Sequence, residues 1–215
     1  MKIRAQALLF DNDGTLVSSL ASVDRCWARW AEEYGVTEEF GRVELHGRPA
    51  VEIVAELLPA DLVPEALARI ETLEVEDVPN GGVHLLPGTK AFLGALPADR
   101  WAVVTSATRR LAEARLDAVG ILPKTMVTAD DITRGKPDPE PYLLAARELG
   151  VDPAHCVVFE DAPAGLAAGR AAGMTTVALT TTHQVHELDA DLLVQDLSAL
   201  SALVTEGAVE ISVRD

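Results

Sequence analysis

Residues 8–16 read LLFDNDGTL: an apolar run stops on Asp11, Asn12 and Asp13, and Gly14 and Thr15 follow at once. An unbroken apolar run of this length suits a strand buried on both faces, as the middle of a parallel sheet requires. Two aspartates one residue apart at its end would repel each other if both stayed ionised in a crevice. Taken alone, such a pair is most often a solvated loop feature. The rest of the chain decides which meaning applies.

Similar short runs recur outward from this stretch. AQALLF spans 5–10, WAVVT 101–105, TMVTA 125–129, HCVVFE 155–160, TTVALT 175–180 and DLLV 191–194. Helical i, i+3, i+4 patterns lie between them at 108–119, 139–149 and 163–172, each followed by a glycine, Gly120, Gly150 or Gly173. The alternation predicts an α/β fold, a doubly wound parallel-sheet core with helices on both faces. One segment breaks the rhythm, because 17–80 reads as helical throughout and is too long for a single crossover. In it Leu20, Val23, Cys26, Trp27, Trp30, Ala31 and Tyr34 form one apolar stripe, and two further helices are expected near 49–58 and 64–77. The expected organisation is a core made of 1–16 and 81–215 with a helical lobe, 17–80, inserted after the first strand. The tail VEISVRD reads as an edge strand.

The 215 residues carry 18 Lys plus Arg against 34 Asp plus Glu, a net charge of -16, which would repel a phosphate backbone and argues against nucleic acid as a partner. Hydrophobic residues make up 48% and mean hydropathy is +0.16, so the chain can bury a large core. Cys26 and Cys156 sit among apolar neighbours and form no C-x-x-C pair, which fits core thiols in a reducing, cytoplasmic setting. No run approaches the roughly 18 to 20 apolar residues of a membrane helix, so no membrane partner is expected. A monomer or weak dimer is the expected state.

Open parallel sheets bind ligands beyond the carboxyl ends of their strands. There the sequence places Asp11 and Asp13 after the first strand and Thr105 and Ser106 after the second. Lys136, in RGKPDPEPY, follows the third, and Glu160 and Asp161 end the fourth. Four acidic side chains in one crevice need a cation, and oxygen-only ligands point to Mg²⁺. Lys136 and the Thr105 hydroxyl suit phosphoryl oxygens instead. A carboxylate beside Mg²⁺, facing such donors, fits nucleophilic phosphoryl transfer through an aspartyl-phosphate, with Asp13 free to move protons.

The set D-N-D-G-T at 11–15, VVTSA at 103–107, RGKPDPEPY at 134–142 and VVFEDAPAGLAAGRAAGM at 157–174 resembles the four motifs of the haloacid dehalogenase superfamily. The order matches, and so do the separations, 31 positions from Thr105 to Lys136 and 24 from Lys136 to Glu160. The helical insert resembles the small cap of the branch that holds β-phosphoglucomutase and the sugar-phosphate phosphatases, and the likeness is greatest to bacterial sugar and hexitol phosphatases. The resemblance implies a Mg²⁺-dependent phosphatase acting on a small phosphorylated sugar or polyol. It makes Asp11 nucleophile and metal ligand, and Asp13 an acid/base whose backbone carbonyl also binds the metal. Thr105, the Ser106 backbone and Lys136 hold the phosphoryl group, and Asp161 and Glu160 complete the metal site. Two positions depart from the family's usual pattern: Asn12 stands where an apolar residue is general, and LVSS, with Ser18, replaces LVDS. The Asn12 side chain is expected to point away from phosphorus and find a local hydrogen-bond partner.

Other polar residues carry two readings each. His46 and Arg48, in HGRP between two lobe helices, are candidate substrate contacts or a helix-capping turn. Thr108, Arg109 and Arg110 open a helix and could meet a polar substrate or solvent. Trp27 and Trp30 read as packing rather than a substrate platform, and His183, His186, Glu187 and Asp189 as polar surface rather than a metal site. Two competing functions remain: a phosphomutase of the β-phosphoglucomutase type, and a phospho-acceptor signalling module, which also gathers acidic residues, a Thr and a Lys at strand ends.

Overall fold

A computed structural model describes residues 2–43, 45 and 49–214. Among them the chain runs β1 (Lys2–Ala5), β2 (Ala7–Phe10), β3 (Val17–Ser18), α1 (Leu20–Tyr34), α2 (Thr37–Phe40), α3 (Ala50–Leu57) and α4 (Val63–Asp77). It continues through β4 (His84–Leu85), α5 (Thr89–Gly94), β5 (Trp101–Val104), α6 (Arg109–Ala118), β6 (Met126–Val127) and α7 (Glu140–Leu149). Last come β7 (Cys156–Glu160), α8 (Pro163–Ala171), β8 (Thr175–Leu179), β9 (Leu192–Val194), β10 (Leu200–Thr205) and β11 (Ala208–Val213).

Six strands form a parallel sheet in the order β6-β5-β2-β7-β8-β9, as the alternating pattern predicts. Alternate side chains feed two cores. Leu8, Phe10, Val103, Val157 and Phe159 pack with Phe92 of α5 and Leu116 of α6. Ala7, Leu9, Ala102, Val104 and Val158 pack with Tyr142 and Ala145 of α7 and Ala168 of α8. Both faces are buried, which is why these strands are apolar throughout rather than alternating. The chain moves outward from β2 to β5 and β6, then crosses to β7 on the other side. The connections diverge at the carboxyl ends of β2 and β7 and leave a crevice there. Phe10 stacks on Phe159 at 4.6 Å and meets Phe92 and Trp101 edge-on, so the residue before Asp11 is held in an aromatic cluster. Burying such a side chain contributes about 1.5–3 kcal/mol.

Helices α1 to α4 gather a separate core from Cys26, Trp27, Trp30, Ala31, Ile53, Val54, Ala66, Ile70 and Leu73. Trp30 is fully buried and its indole N–H donates to the Ala66 carbonyl at 2.9 Å, which makes it a packing residue. The two connections between this lobe and the sheet run side by side as β3 and β4, pairing Val17 with Leu85 and Ser18 with His84.

Three features differ from the sequence expectation. The first strand breaks at Gln6: from Gln6, whose N–H donates to the His155 carbonyl, the chain follows the parallel sheet, whereas β1 before it pairs with β11 instead. The tail is no edge strand, because β11 lies between β1 and β10 in an antiparallel sheet of three. The expectation that 17–80 is helical throughout fails at β3, which pairs with β4 as a strand, and neither that pair nor the short helix α5 is long enough to carry a period. Cys26 and Cys156 are free, buried thiols, each pushed up to about 11 mainly by burial.

Candidate active site

Asp11 follows the last residue of β2, and its N–H donates to the Phe159 carbonyl, which locks it beside β7. From β7 come Glu160 and Asp161. Oxygen atoms of Asp11, Glu160 and Asp161 lie within 4.8 Å of one another. Lys136 reaches this cluster from the segment before α7. Its ammonium donates at 2.6 Å to Asp11 Oδ1, at 2.6 Å to Glu160 Oε1 and at 2.9 Å to the Val104 carbonyl at the end of β5. The Tyr142 hydroxyl of α7 donates to the same Glu160 oxygen at 2.7 Å. The other oxygen of Glu160 takes the backbone N–H groups of Asp161 and Ala162.

Two glycines make this density possible. A Cβ on Gly14, whose φ is 81°, would lie 2.1 Å from Asp161 Oδ2, and one on Gly165 would lie 1.8 Å from Glu160 Oε1. Neither position can carry a side chain while the carboxylates stay where they are.

Three carboxylates against one ammonium leave a formal excess of two negative charges in a mostly buried cluster. Burial, reinforced by Glu160 and Asp161, pushes the Asp11 carboxyl well above its usual range despite Lys136. Burial and the Glu160 charge push Asp161 up to about 7. Burial opposes the charge on Lys136, but Asp11 and Glu160 outweigh it and hold the ammonium raised. A hard divalent cation is the natural complement of such a set, and the residues fit Mg²⁺. The Thr182 hydroxyl donates to Asp161 Oδ2 and fixes its orientation.

Asp13 departs from the expected convergence of four acidic side chains. Its carboxylate turns to Arg115 of α6, with Nη1 2.9 Å from Oδ2, while Arg115 Nη2 donates at 3.1 Å to Glu74 of α4. Asn12 is fully buried and its amide donates to the same Asp13 oxygen at 3.2 Å, the local partner expected for it. The Asn12 carbonyl takes the N–H groups of Thr15, Leu16 and Val17, which closes the turn that carries Asp13 off the strand line.

Thr105 is buried at the end of β5, and its hydroxyl accepts the Ala107 N–H at 3.1 Å; Ser106 beside it is exposed. Thr108 is not brought to the carboxylates: it caps α6, accepting from the Leu111 N–H, and donates to Glu71 of α4 at 2.8 Å. Arg109 is not brought there either, since its guanidinium is drawn to Asp131 at 2.7 Å and to the Met126 carbonyl. His46 and Arg48 lie outside the described residues. In the loop after β8 Glu187 accepts from the Gln184 N–H and Asp189 pairs with Arg170, so these acids serve local surface structure. Sequence reasoning missed Arg115, Glu74 and Tyr142; a signal for Tyr142 existed, since it closes the RGKPDPEPY motif.

Residues 5–173 match the family described as haloacid dehalogenase-like hydrolase. The chain is 37% identical over 204 residues to hexitol phosphatase A of Escherichia coli (strain K12), covering 93% of this chain and 94% of that one. It is 37% identical over 183 residues to fructose-1-phosphate phosphatase YqaB of the same organism, covering 81% and 96%. Among solved structures, β-phosphoglucomutase from Clostridium difficile superposes with a TM-score of 0.75 at 22% identity, covering 90% of this chain and 92% of that one, a likeness of fold. With the matched residues running from β1 past Asp11, Lys136 and Asp161, the chain belongs to the haloacid dehalogenase-like hydrolase family.

Proposed function

We propose that this protein is a Mg²⁺-dependent phosphatase that hydrolyses a small sugar- or polyol-phosphate monoester through an aspartyl-phosphate. The observation that carries the reading is Asp11 at the end of the central strand, with Lys136 at 2.6 Å and two further carboxylates within 4.8 Å. The names of its relatives, hexitol phosphatase A and fructose-1-phosphate phosphatase, support the substrate class.

In this reading Lys136 holds Oδ1 of Asp11, and Oδ2 attacks phosphorus. The bond from phosphorus to the substrate oxygen breaks, and Asp13 gives that oxygen a proton. Asp13 then takes a proton from a water that attacks phosphorus, and the bond to Asp11 breaks to release phosphate. Lys136 and Thr105, with the Ser106 backbone, hold the non-bridging oxygens. Asp11, Asp161, Glu160 and the Asp13 backbone carbonyl would hold Mg²⁺, which supplies charge neutralisation for the incoming phosphate. Residues 17–80 act as a cap that limits water around Asp11 during the first step.

The test is release of inorganic phosphate from hexitol, hexose, pentose and glycerol phosphates and phosphoglycolate, each with Mg²⁺ and with EDTA. Turnover on sugar or polyol esters that EDTA abolishes is expected. An isomerised ester without free phosphate would point to a mutase instead. One phosphoryl group retained per protein with no catalytic release would point to a signalling module.

A further inference from the structure

Arg115 occupies a place that neither the four motifs nor the phosphoryl site explains. Its residue is 5% exposed, its Nη1 donates to Asp13 Oδ2 at 2.9 Å and its Nη2 to Glu74 Oε1 at 3.1 Å. Asp13 is on the loop after β2 and Glu74 is on α4, so a single side chain joins the loop of the proposed nucleophile to the helical lobe. The lobe is pinned to α6 a second time one turn earlier on the same face of α4, where Glu71 accepts from Thr108 at 2.8 Å. Burial opposes charge on Arg115, but Asp13 and Glu74 outweigh it and hold its pKa raised.

The two oxygens of Asp13 differ. Oδ2 takes both Arg115 and the Asn12 amide, whereas Oδ1 is buried with no hydrogen-bond partner among the described residues. A carboxylate that only helped to glue lobe to core would gain by using both oxygens, because an unmatched buried oxygen is costly. A guanidinium fork commonly grips both oxygens of one carboxylate; here its second arm goes to Glu74, so only Oδ2 of Asp13 is held.

We propose that Arg115 is a positioning residue that ties Asp13 to the helical lobe: with Asn12 it immobilises Oδ2, leaving Oδ1 to carry the proton, while Glu74 holds its other arm. The inference rests on the reading that Asp13 moves protons in ester hydrolysis. It extends that reading by making the seating of α4 against α6 a condition for the Asp13 carboxylate to be aimed. Asn12, an unusual residue at its position, acquires a role as the second anchor of the same oxygen.

The test compares full-length wild type with Arg115→Met, Arg115→Lys and the double variant Arg115→Met/Glu74→Met, which replaces the buried Arg115–Glu74 pair with apolar volume, and urea unfolding checks that each variant is folded under the assay conditions. Each is assayed with Mg²⁺ on a hexitol phosphate and on p-nitrophenyl phosphate, whose leaving group needs no proton. Hydrolysis of the hexitol phosphate should fall about 10²-fold or more in both Met variants. On p-nitrophenyl phosphate they should release a burst approaching one nitrophenolate per protein, then turn over slowly, because attack by Asp11 is intact and the later, Asp13-assisted step is not. Arg115→Lys should recover part of the hexitol phosphate activity. A double variant with wild-type turnover on the hexitol phosphate overturns the proposal, as does an equal fall on both esters with no burst, which is what a merely structural role produces. A wild type that releases phosphate from neither ester overturns the hydrolase reading, and the role of Arg115 with it.

Discussion

Lys136 Nζ lies 2.6 Å from Asp11 Oδ1, so the proposed nucleophile and the cation that would steady a transferring phosphoryl group share one buried contact. Lys136→Met removes that cation from between Asp11 and Glu160. Because the partners left behind are buried, the expected loss of stability is about 3–5 kcal/mol in metal-free protein. Turnover should fall about 10²- to 10³-fold. Urea unfolding in EDTA together with a phosphate-release assay checks both; a variant as stable as wild type would contradict the pairing.

Asp11→Asn should behave differently. Phosphate release is abolished, yet metal-free protein gains stability at pH 7. Burial raises the carboxyl of Asp11, so its ionised form opposes folding there, and the amide has no charge to bury. Lys136 retains a carboxylate partner in Glu160, 2.6 Å away in the wild type. Unfolding at lower urea than wild type in EDTA would refute the charge-burial cost assigned to Asp11.

Asp161, as a proposed metal ligand, should contribute to the pH dependence of Mg²⁺ binding. Its folded value, about 7, is set chiefly by burial and then by Glu160 and stands above the ordinary value of 3.8, so the folded chain holds that proton more tightly than the unfolded chain. Metal-free protein therefore loses stability as pH rises from about 4 through 7. Mg²⁺ has to displace protons from Asp161 and from Asp11, which is raised as well, so its affinity should fall as pH drops below 7. Calorimetric titration with Mg²⁺ between pH 5.5 and 8 reads this directly, and a flat profile would count against it.

Gly14→Ala places a Cβ 2.1 Å from Asp161 Oδ2 and forces alanine to a φ of 81°. The backbone strain alone costs about 1–3 kcal/mol. Displacement of Asp161 should weaken Mg²⁺ binding as well, which separates this variant from one that is only less stable. Retained Mg²⁺ affinity would show that Asp161 is not a ligand.

Tyr142→Phe deletes the hydroxyl that donates to Glu160 at 2.7 Å without opening a cavity. A hydrogen bond to a charged acceptor contributes about 1.5–3 kcal/mol, and that loss should appear in denaturant unfolding. An unchanged midpoint would mean that Lys136 and the backbone N–H groups satisfy Glu160 alone.

Sequence by itself was enough for the parallel sheet, the helical segment after the first strand, the strand-end residues Asp11, Glu160 and Asp161, and Lys136 in its own motif before α7. The reason is that a strand buried on both faces has to be apolar and has to stop where polar chemistry begins, so its end is written locally as LLFD or VVFED. Trp27 and Trp30 were legible as packing for the same reason, through the helical period of α1. Only the tertiary structure decided what surrounds Asp13. Arg115 looks like any polar position on a helix, and its partners Asp13 and Glu74 are 102 and 41 positions away. For Thr108 and Arg109 the sequence left open a polar substrate or solvent, and packing supplied Glu71 and Asp131 as partners. The three-stranded sheet of β1, β11 and β10 joins the two ends of the chain, a pairing no local pattern encodes. Local period reports which side of an element is buried; it does not report against what, and the partner of a buried charge is set by which elements the fold brings together.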